Sequence, residues 1–278
     1  MEKTGNKEKI KESENGKILI KGLVIGSTMT LPGVSGGSMA MVLGIYDRLL
    51  KHVSEITKYP KESLTFLLWF AAGAGSGAFL FSRGISWLLT TRAEGILCFF
   101  FLGAVSGGIP MILKSASVSR IRGREMICIL TGILTALLIA LIPQGIFAPG
   151  TENTPMHLLF QLAGGFIIAV ALVLPGISAS QMLYMLGIYE STLKAISSLD
   201  ILALLPLAVG GILGTYLTAR ILEQLIKKHR EDTFLIILGF MLVSLRSLLP
   251  EHLIEENLLA GVGALVLGFV SLYFLSAK

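Results

Sequence analysis

The run LPGVSGGSMAMVLGIYD (Leu31–Asp47) returns 143 positions later as LPGISASQMLYMLGIYE (Leu174–Glu190), each time with a Pro-Gly pair inside an apolar stretch. Proline removes a helical N–H and clashes with the preceding turn, so each pair breaks a helix. In hydrocarbon a broken helix exposes backbone groups that lipid cannot satisfy, so both breaks must be buried in protein or line a polar cavity.

That constraint applies because the chain reads as a membrane protein. Of its 278 residues 53% are hydrophobic and only 15% charged, with a mean hydropathy of +0.77. A soluble domain carries about 25% charged residues. Apolar runs of bilayer-crossing length recur along the chain, and 31 glycines suit close helix packing. The net charge of +5 sits in short clusters between apolar runs, the pattern of cytoplasmic loops and not of a nucleic-acid surface. Residues 1–17 are too charged for a signal peptide and read as a cytosolic tail without regular structure at its start. Cys98 and Cys128 stand alone in apolar runs and read as small buried hydrophobes.

The order of segments is the same in both halves. Repeat 1 spans 18–143, with a broken hairpin at 18–50 and helices at 64–90, 95–113 and 126–143. A linker, 144–156, precedes repeat 2 at 157–278, with a broken hairpin at 157–195 and helices at 201–226, 233–249 and 257–276. Gly22 matches Gly165, and Gly73, Gly77 and Arg83 match Gly210, Gly214 and Arg220. Charge decides how the broken pairs run. If each dips in and returns, Arg48, Lys51, Lys58 and Lys61, the Lys114–Arg124 loop and Lys227–Arg230 all fall inside, while the base-free linker 144–156 falls outside. If each pair crosses once, the first two basic loops are misplaced. The expected fold is therefore all-α and polytopic, with re-entrant hairpins and three crossings per repeat. An odd number of crossings inverts the second repeat, as in many secondary transporters. Both termini are then cytoplasmic.

The breaks carry the chemistry. Pro32 and Gly33 are followed by Ser35, Gly36, Gly37 and Ser38; Pro175 and Gly176 are followed by Ser178, Ala179, Ser180 and Gln181. Serine caps a helix start, while small residues let a ligand approach the backbone. A helix N-terminus held at membrane depth offers unpaired N–H groups and partial positive charge, which suits a phosphate; the plainer alternative is a tight turn with close packing. Arg83 and Arg220 lie inside apolar helices, as anion ligands or as side chains snorkelling to the interface. Tyr46 and Tyr189 read as interfacial anchors, Asp47 and Glu190 as water-facing, and Gln144, His157 and Gln161 as loop or interface residues. No metal cluster, nucleotide-binding loop or catalytic triad order appears, so no catalytic residue is assigned.

The paired PGxS…GxY motifs, each opening one half, resemble the PopT-type undecaprenyl-phosphate translocases, a family first catalogued as a membrane domain of unknown function. The resemblance covers the chain from about residue 18. It implies a non-enzymatic flippase that returns undecaprenyl phosphate from the outer to the inner leaflet for envelope polymer synthesis. Its substrate-binding residues would be the motif positions already named, while Arg83 and Arg220 rest on their placement alone. The second copy departs from the first at Ala179, Ser180 and Gln181, so the two phosphate sites need not be equivalent.

The expected substrate is a polyprenyl-phosphate lipid, moved by alternating access, with no nucleic-acid partner and the oligomeric state left open. No cofactor is expected. A drive is required, and coupling to H⁺ or Na⁺ would supply it, although no residue marks either ion. The alternative is a secondary transporter of a small organic anion on the same scaffold.

Overall fold

The computed structural model describes residues 2–29, 34–89, 91, 94–118, 120–143, 145, 155–198, 200–249 and 258–276. Their regular structure is all helical: α1 (Glu2–Thr28), α2 (Gly36–Val42), α3 (Tyr46–Ser54), α4 (Pro60–Leu89), α5 (Glu94–Gly107), α6 (Ile109–Ser115), α7 (Gly123–Ala140), α8 (Pro155–Val173), α9 (Ala179–Leu186), α10 (Tyr189–Ser197), α11 (Ile201–Lys228), α12 (Arg230–Ser244) and α13 (Leu258–Ser276). A short 3-10 turn, Leu245–Leu248, follows α12. Pro60–Ser82, Glu94–Ser115, Gly123–Ala140 and Ile201–Lys228 are long and apolar enough to cross a membrane. Protein covers only 17% of the most apolar window in the first, third and fourth of these. Phe79, Trp87, Leu202 and Ile212 are each more than 60% exposed. Such a surface calls for lipid and not water.

The chain divides into two compact units, the first made of Met1–Met111 with Ser247–Lys278. There α1 packs on α4 through glycine. A Cβ on Gly73 would land on the Leu19 carbonyl, one on Gly77 on the Leu23 carbonyl, and one on Gly22 would stand 2.5 Å from Phe70 O. Backbone meets backbone at these points, where Cα–H···O contacts contribute roughly 0.5–1 kcal/mol each. The pairing advances in the same direction along both helices, so α1 and α4 run parallel. The chain between them must therefore come back. Gly36 lies against Met29, Lys21 Nζ donates to Leu43 O at 2.6 Å, and Arg48 pairs with Glu14 at 3.5 Å. This descending ladder makes α1 with α2 and α3 an antiparallel hairpin. His52 then stacks on Phe66 at 4.2 Å and pins α3 to α4. The end of α5 reaches α2, where Gly108 meets Val42. Along α5, Gly103 meets the Leu265 carbonyl and Gly107 stands 2.5 Å from Phe269 O, so α13 runs parallel to α5.

The second unit, Ile112–Arg246, repeats the glycine contacts of α1 with α4. Gly165 meets the Leu207 carbonyl, Gly210 the Leu162 carbonyl and Gly214 the Phe166 carbonyl, so α8 and α11 run parallel as α1 and α4 do. α9 folds back along α8, with Met182 and Met185 packed on Ala171 and Ile188 against Gly164. α7 pairs with α12, and here Gly132 meets the Ile236 carbonyl just as Gly268 meets that of Phe100. Gly239 meets the Ile129 carbonyl just as Gly103 meets that of Leu265. The third long helix of each sequence repeat thus packs on the second long helix of the other.

Several elements depart from the sequence expectation. Backbone from Glu2 onward is helical, where the tail was expected to start without regular structure. Within the hairpins expected at 18–50 and 157–195, each returning arm is split in two, at Gly44 (φ +63°) and Gly187 (φ +73°). Both are the glycine of a GIY triplet in a left-handed conformation that ends a helix. The apolar run 95–113 is likewise divided between α5 and α6 around Gly108.

Candidate functional site

In the first hairpin the break itself, Pro32 and Gly33, lies outside the described residues. The residues that follow it are placed. Ser35 N-caps α2 in an extended conformation (φ −87°, ψ 133°), and its hydroxyl accepts the Ser38 N–H at 3.4 Å. Gly36 is half-buried, with Met29 Sδ 2.7 Å from where a Cβ would sit, and Gly37 is buried. Ser38 is 1% exposed and its hydroxyl has no hydrogen-bond partner among the described residues. An unsatisfied buried hydroxyl costs about 1–3 kcal/mol.

The second hairpin shows its break in full. Pro175 is fully buried and ends α8. Gly176 has φ +89°, and a Cβ there would stand 2.6 Å from the Phe240 carbonyl carbon and 2.7 Å from Met241 N, so α12 backbone presses on the turn. Ser178 takes the N-cap position of α9 (φ −89°, ψ 125°) and is half-buried. Ser180 lies in α9 with its side chain outside the described part, and Gln181 is exposed. Gln181 stands where the first hairpin has the buried Ser38, so the two tips differ in what they offer a ligand.

The arginines follow from helix register. Leu23 meets Gly77, and six residues on, Arg83 is level with Met29 at the end of α1. Phe166 meets Gly214, and six residues on, Arg220 is level with Leu172 at the end of α8. Arg83 therefore lies level with the end of α1, and Arg220 with the end of α8. The Arg83 side chain is outside the described part; Arg220 is exposed, and no described carboxylate pairs with it.

The remaining polar residues sort by burial. Tyr46, expected at the membrane interface, is instead buried in hairpin packing at 4% exposure, because α3 turns it inward. Tyr189 is half-buried and stacks on Tyr184 at 3.9 Å. Asp47 and Glu190 are exposed. Gln161 is half-buried; Gln144 and the His157 side chain lie outside the described residues. Arg124 makes a bidentate pair with Asp232 at 2.9 and 2.7 Å, and Arg230 donates to Ser115 O at 2.7 Å, so charged residues brace the starts of α7 and α12. Near the end of α3, burial and the adjacent Arg48 and Lys51 hold the His52 pKa below its ordinary value. No described cluster of His, Cys, Asp or Glu has the makings of a metal site.

Sequence reasoning missed two features. Lys21, just past the charged tail, reaches into the first hairpin. The matched glycines Gly103 with Gly239 and Gly132 with Gly268 escaped because each belongs to an exchanged helix pair.

Known proteins bear on this arrangement. The sequence model of the undecaprenyl phosphate translocase-like family (VCA0040-like) matches residues 25–265. A polyprenyl-phosphate transporter of Vibrio cholerae serotype O1 is 30% identical over 250 residues, covering 83% of this chain and 76% of that protein. A polyprenyl-phosphate transporter of Staphylococcus aureus is 29% identical over 243 residues, covering 84% of this chain and 85% of that one. No solved structure matches significantly. A doubled hairpin scaffold with apolar outer helices, matched over most of its length, makes this chain a member of the undecaprenyl phosphate translocase-like family, whose members are transporters and not enzymes.

Proposed function

We propose that the chain returns a polyprenyl phosphate, undecaprenyl phosphate in the first instance, from the outer to the inner leaflet by alternating access. Its phosphate binds near the two Pro-Gly breaks while the prenyl tail stays in lipid. The observation that carries this reading is the parallel run of α1 with α4 and of α8 with α11. A broken pair that crossed the membrane once would make those helices antiparallel, so the parallel run supports re-entrant hairpins whose returning helices begin at depth. The parallel run of α5 and α13 supports inversion. α13 closes repeat 2 in the direction of α5, whereas α7 closes repeat 1 after one further crossing, in the opposite direction.

The ligand follows from chemistry. Helix starts at Ser35 and Ser178, the orphan Ser38 hydroxyl and arginines level with the ends of α1 and α8 all suit a phosphate oxyanion. The names of the two relatives point to the same lipid. H⁺ or Na⁺ coupling would drive the step, and both termini would face the cytoplasm of the inner membrane. The test is reconstitution in vesicles carrying undecaprenyl phosphate in one leaflet. Protein-dependent movement to the other leaflet is expected. Uptake of a water-soluble anion with no lipid movement would replace this reading with the organic-anion one.

A further inference from the structure

The duplicated hairpins differ in charge at two matched positions, Lys21 against Gly164 and Arg48 against Ser191. Lys21 on α1 is half-buried, and its ammonium donates at 2.6 Å to Leu43 O, the carbonyl at the end of α2. The corresponding place on α8 is Gly164, where Ile188 Cδ1 and Leu186 Cδ1 stand 2.8 and 3.7 Å from the position a Cβ would take. Leu186 is the counterpart of Leu43, so both hairpins close at the same point, one on an ammonium and one on two aliphatic side chains. Closure alone does not require the charge.

The surroundings of Lys21 are cationic. Burial and the neighbouring Arg48 and Lys17 all disfavour its charge. Glu14 is matched to Arg48 at 3.5 Å, and no described carboxylate pairs with Lys21. A half-buried ammonium has three N–H donors, and the Leu43 carbonyl occupies one. A half-buried ammonium at the edge of an apolar segment without a counter-ion is costly unless an anion joins it. By the positive-inside rule this end of α1 lies at the cytoplasmic leaflet.

We propose that Lys21, flanked by Lys17 and Arg48, binds the phosphate of the polyprenyl phosphate when it reaches the inner leaflet. This receiving site is present in one hairpin only, so the cycle gains a direction-dependent step that the duplicated scaffold lacks. The inference rests on the lipid-phosphate reading above.

The test compares purified wild type with Lys21→Gln and Lys21→Arg in nanodiscs, reading affinity for undecaprenyl phosphate, undecaprenol and inorganic phosphate, with melting temperature as the check on folding. Glutamine can still donate to Leu43 O but carries no charge, so a role limited to capping predicts wild-type binding. The proposal predicts that K21Q binds undecaprenyl phosphate about tenfold or more weakly, the scale of a charge-assisted hydrogen bond. It also predicts that K21R stays within about threefold and that undecaprenol binding is unchanged in both. Should K21Q fail to fold, Lys21→Met, which imitates the apolar closure of the second hairpin, takes its place under the same expectation. Unchanged undecaprenyl phosphate affinity in the neutral variant overturns the role of Lys21 alone. Loss of inorganic phosphate binding with lipid binding intact overturns the lipid as its ligand. Wild type that binds no undecaprenyl phosphate overturns both this inference and the reading beneath it.

Discussion

Gly210 faces the carbonyl oxygen of Leu162 across the α8–α11 contact so closely that a methyl group would fall on the oxygen. Gly73 and Leu19 reproduce the relationship across α1 and α4. Within each unit a hairpin is thereby locked to the following helix in one register. A rigid hairpin-and-helix pair keeps a helix start at fixed depth, as a phosphate site in the membrane requires.

Valine at Gly73 or Gly210 is expected to force the paired helices apart and cost at least about 1–3 kcal/mol of stability. Gly75 has nothing within 4 Å of its would-be Cβ and serves as the control. Thermal unfolding in detergent checks this. Equal melting temperatures for G73V and G75V would contradict the packing described.

The turn at Gly176 gives a sharper comparison. Gly176 and Gly145 both have positive φ, +89° and +82°, but only Gly176 has backbone pressed against it. Gly145→Ala is expected to lose about 1–2 kcal/mol from backbone strain alone. Gly176→Ala should lose more, because α12 must also move, and should impair transport in vesicles. A milder effect at 176 than at 145 would argue against a tightly held second break.

Much of this was legible in the sequence, and the reason is duplication. The repeated PGxS…GIY motif, the Gly22, Gly73 and Gly77 matches and the charge of the loops together implied hairpins and a membrane. What was not legible was tertiary. Nothing in a linear repeat says that α13 pairs with α5, or α7 with α12, since those contacts join opposite halves of the chain. The α2–α3 break hides in a single glycine, Gly44, whose left-handed conformation only the fold reveals. Comparing the repeats also concealed Lys21, because its counterpart, Gly164, carries no chemistry.

His52 supplies a pH dependence. Burial and neighbouring cations lower its folded-state pKa, while the unfolded value stays near 6.5. The unfolded state therefore takes up the proton first, so the neutral, stacked form contributes stability above about pH 6.5 that is lost as pH falls below it. His52→Phe keeps a ring against Phe66 without the titration. Melting temperature between pH 7.5 and 5 should fall more steeply for wild type than for H52F, and parallel curves would contradict the assignment.

Orientation is open to labelling. In a variant lacking Cys98 and Cys128, single cysteines at Lys58, Ser117 and Lys228 should react with an impermeant maleimide only after permeabilisation. A cysteine at Gly145 should react in intact cells. Outside labelling at Lys58 would mean that the first broken pair crosses the membrane, and the inverted arrangement would fail.

The most direct test of the central claim is the amount of undecaprenyl phosphate exposed on the outer leaflet of intact cells, measured with and without the protein in a strain lacking other carriers of that lipid. Depletion is expected to raise the exposed pool, and wild-type protein to lower it again. An unchanged outer-leaflet pool on depletion would contradict the account.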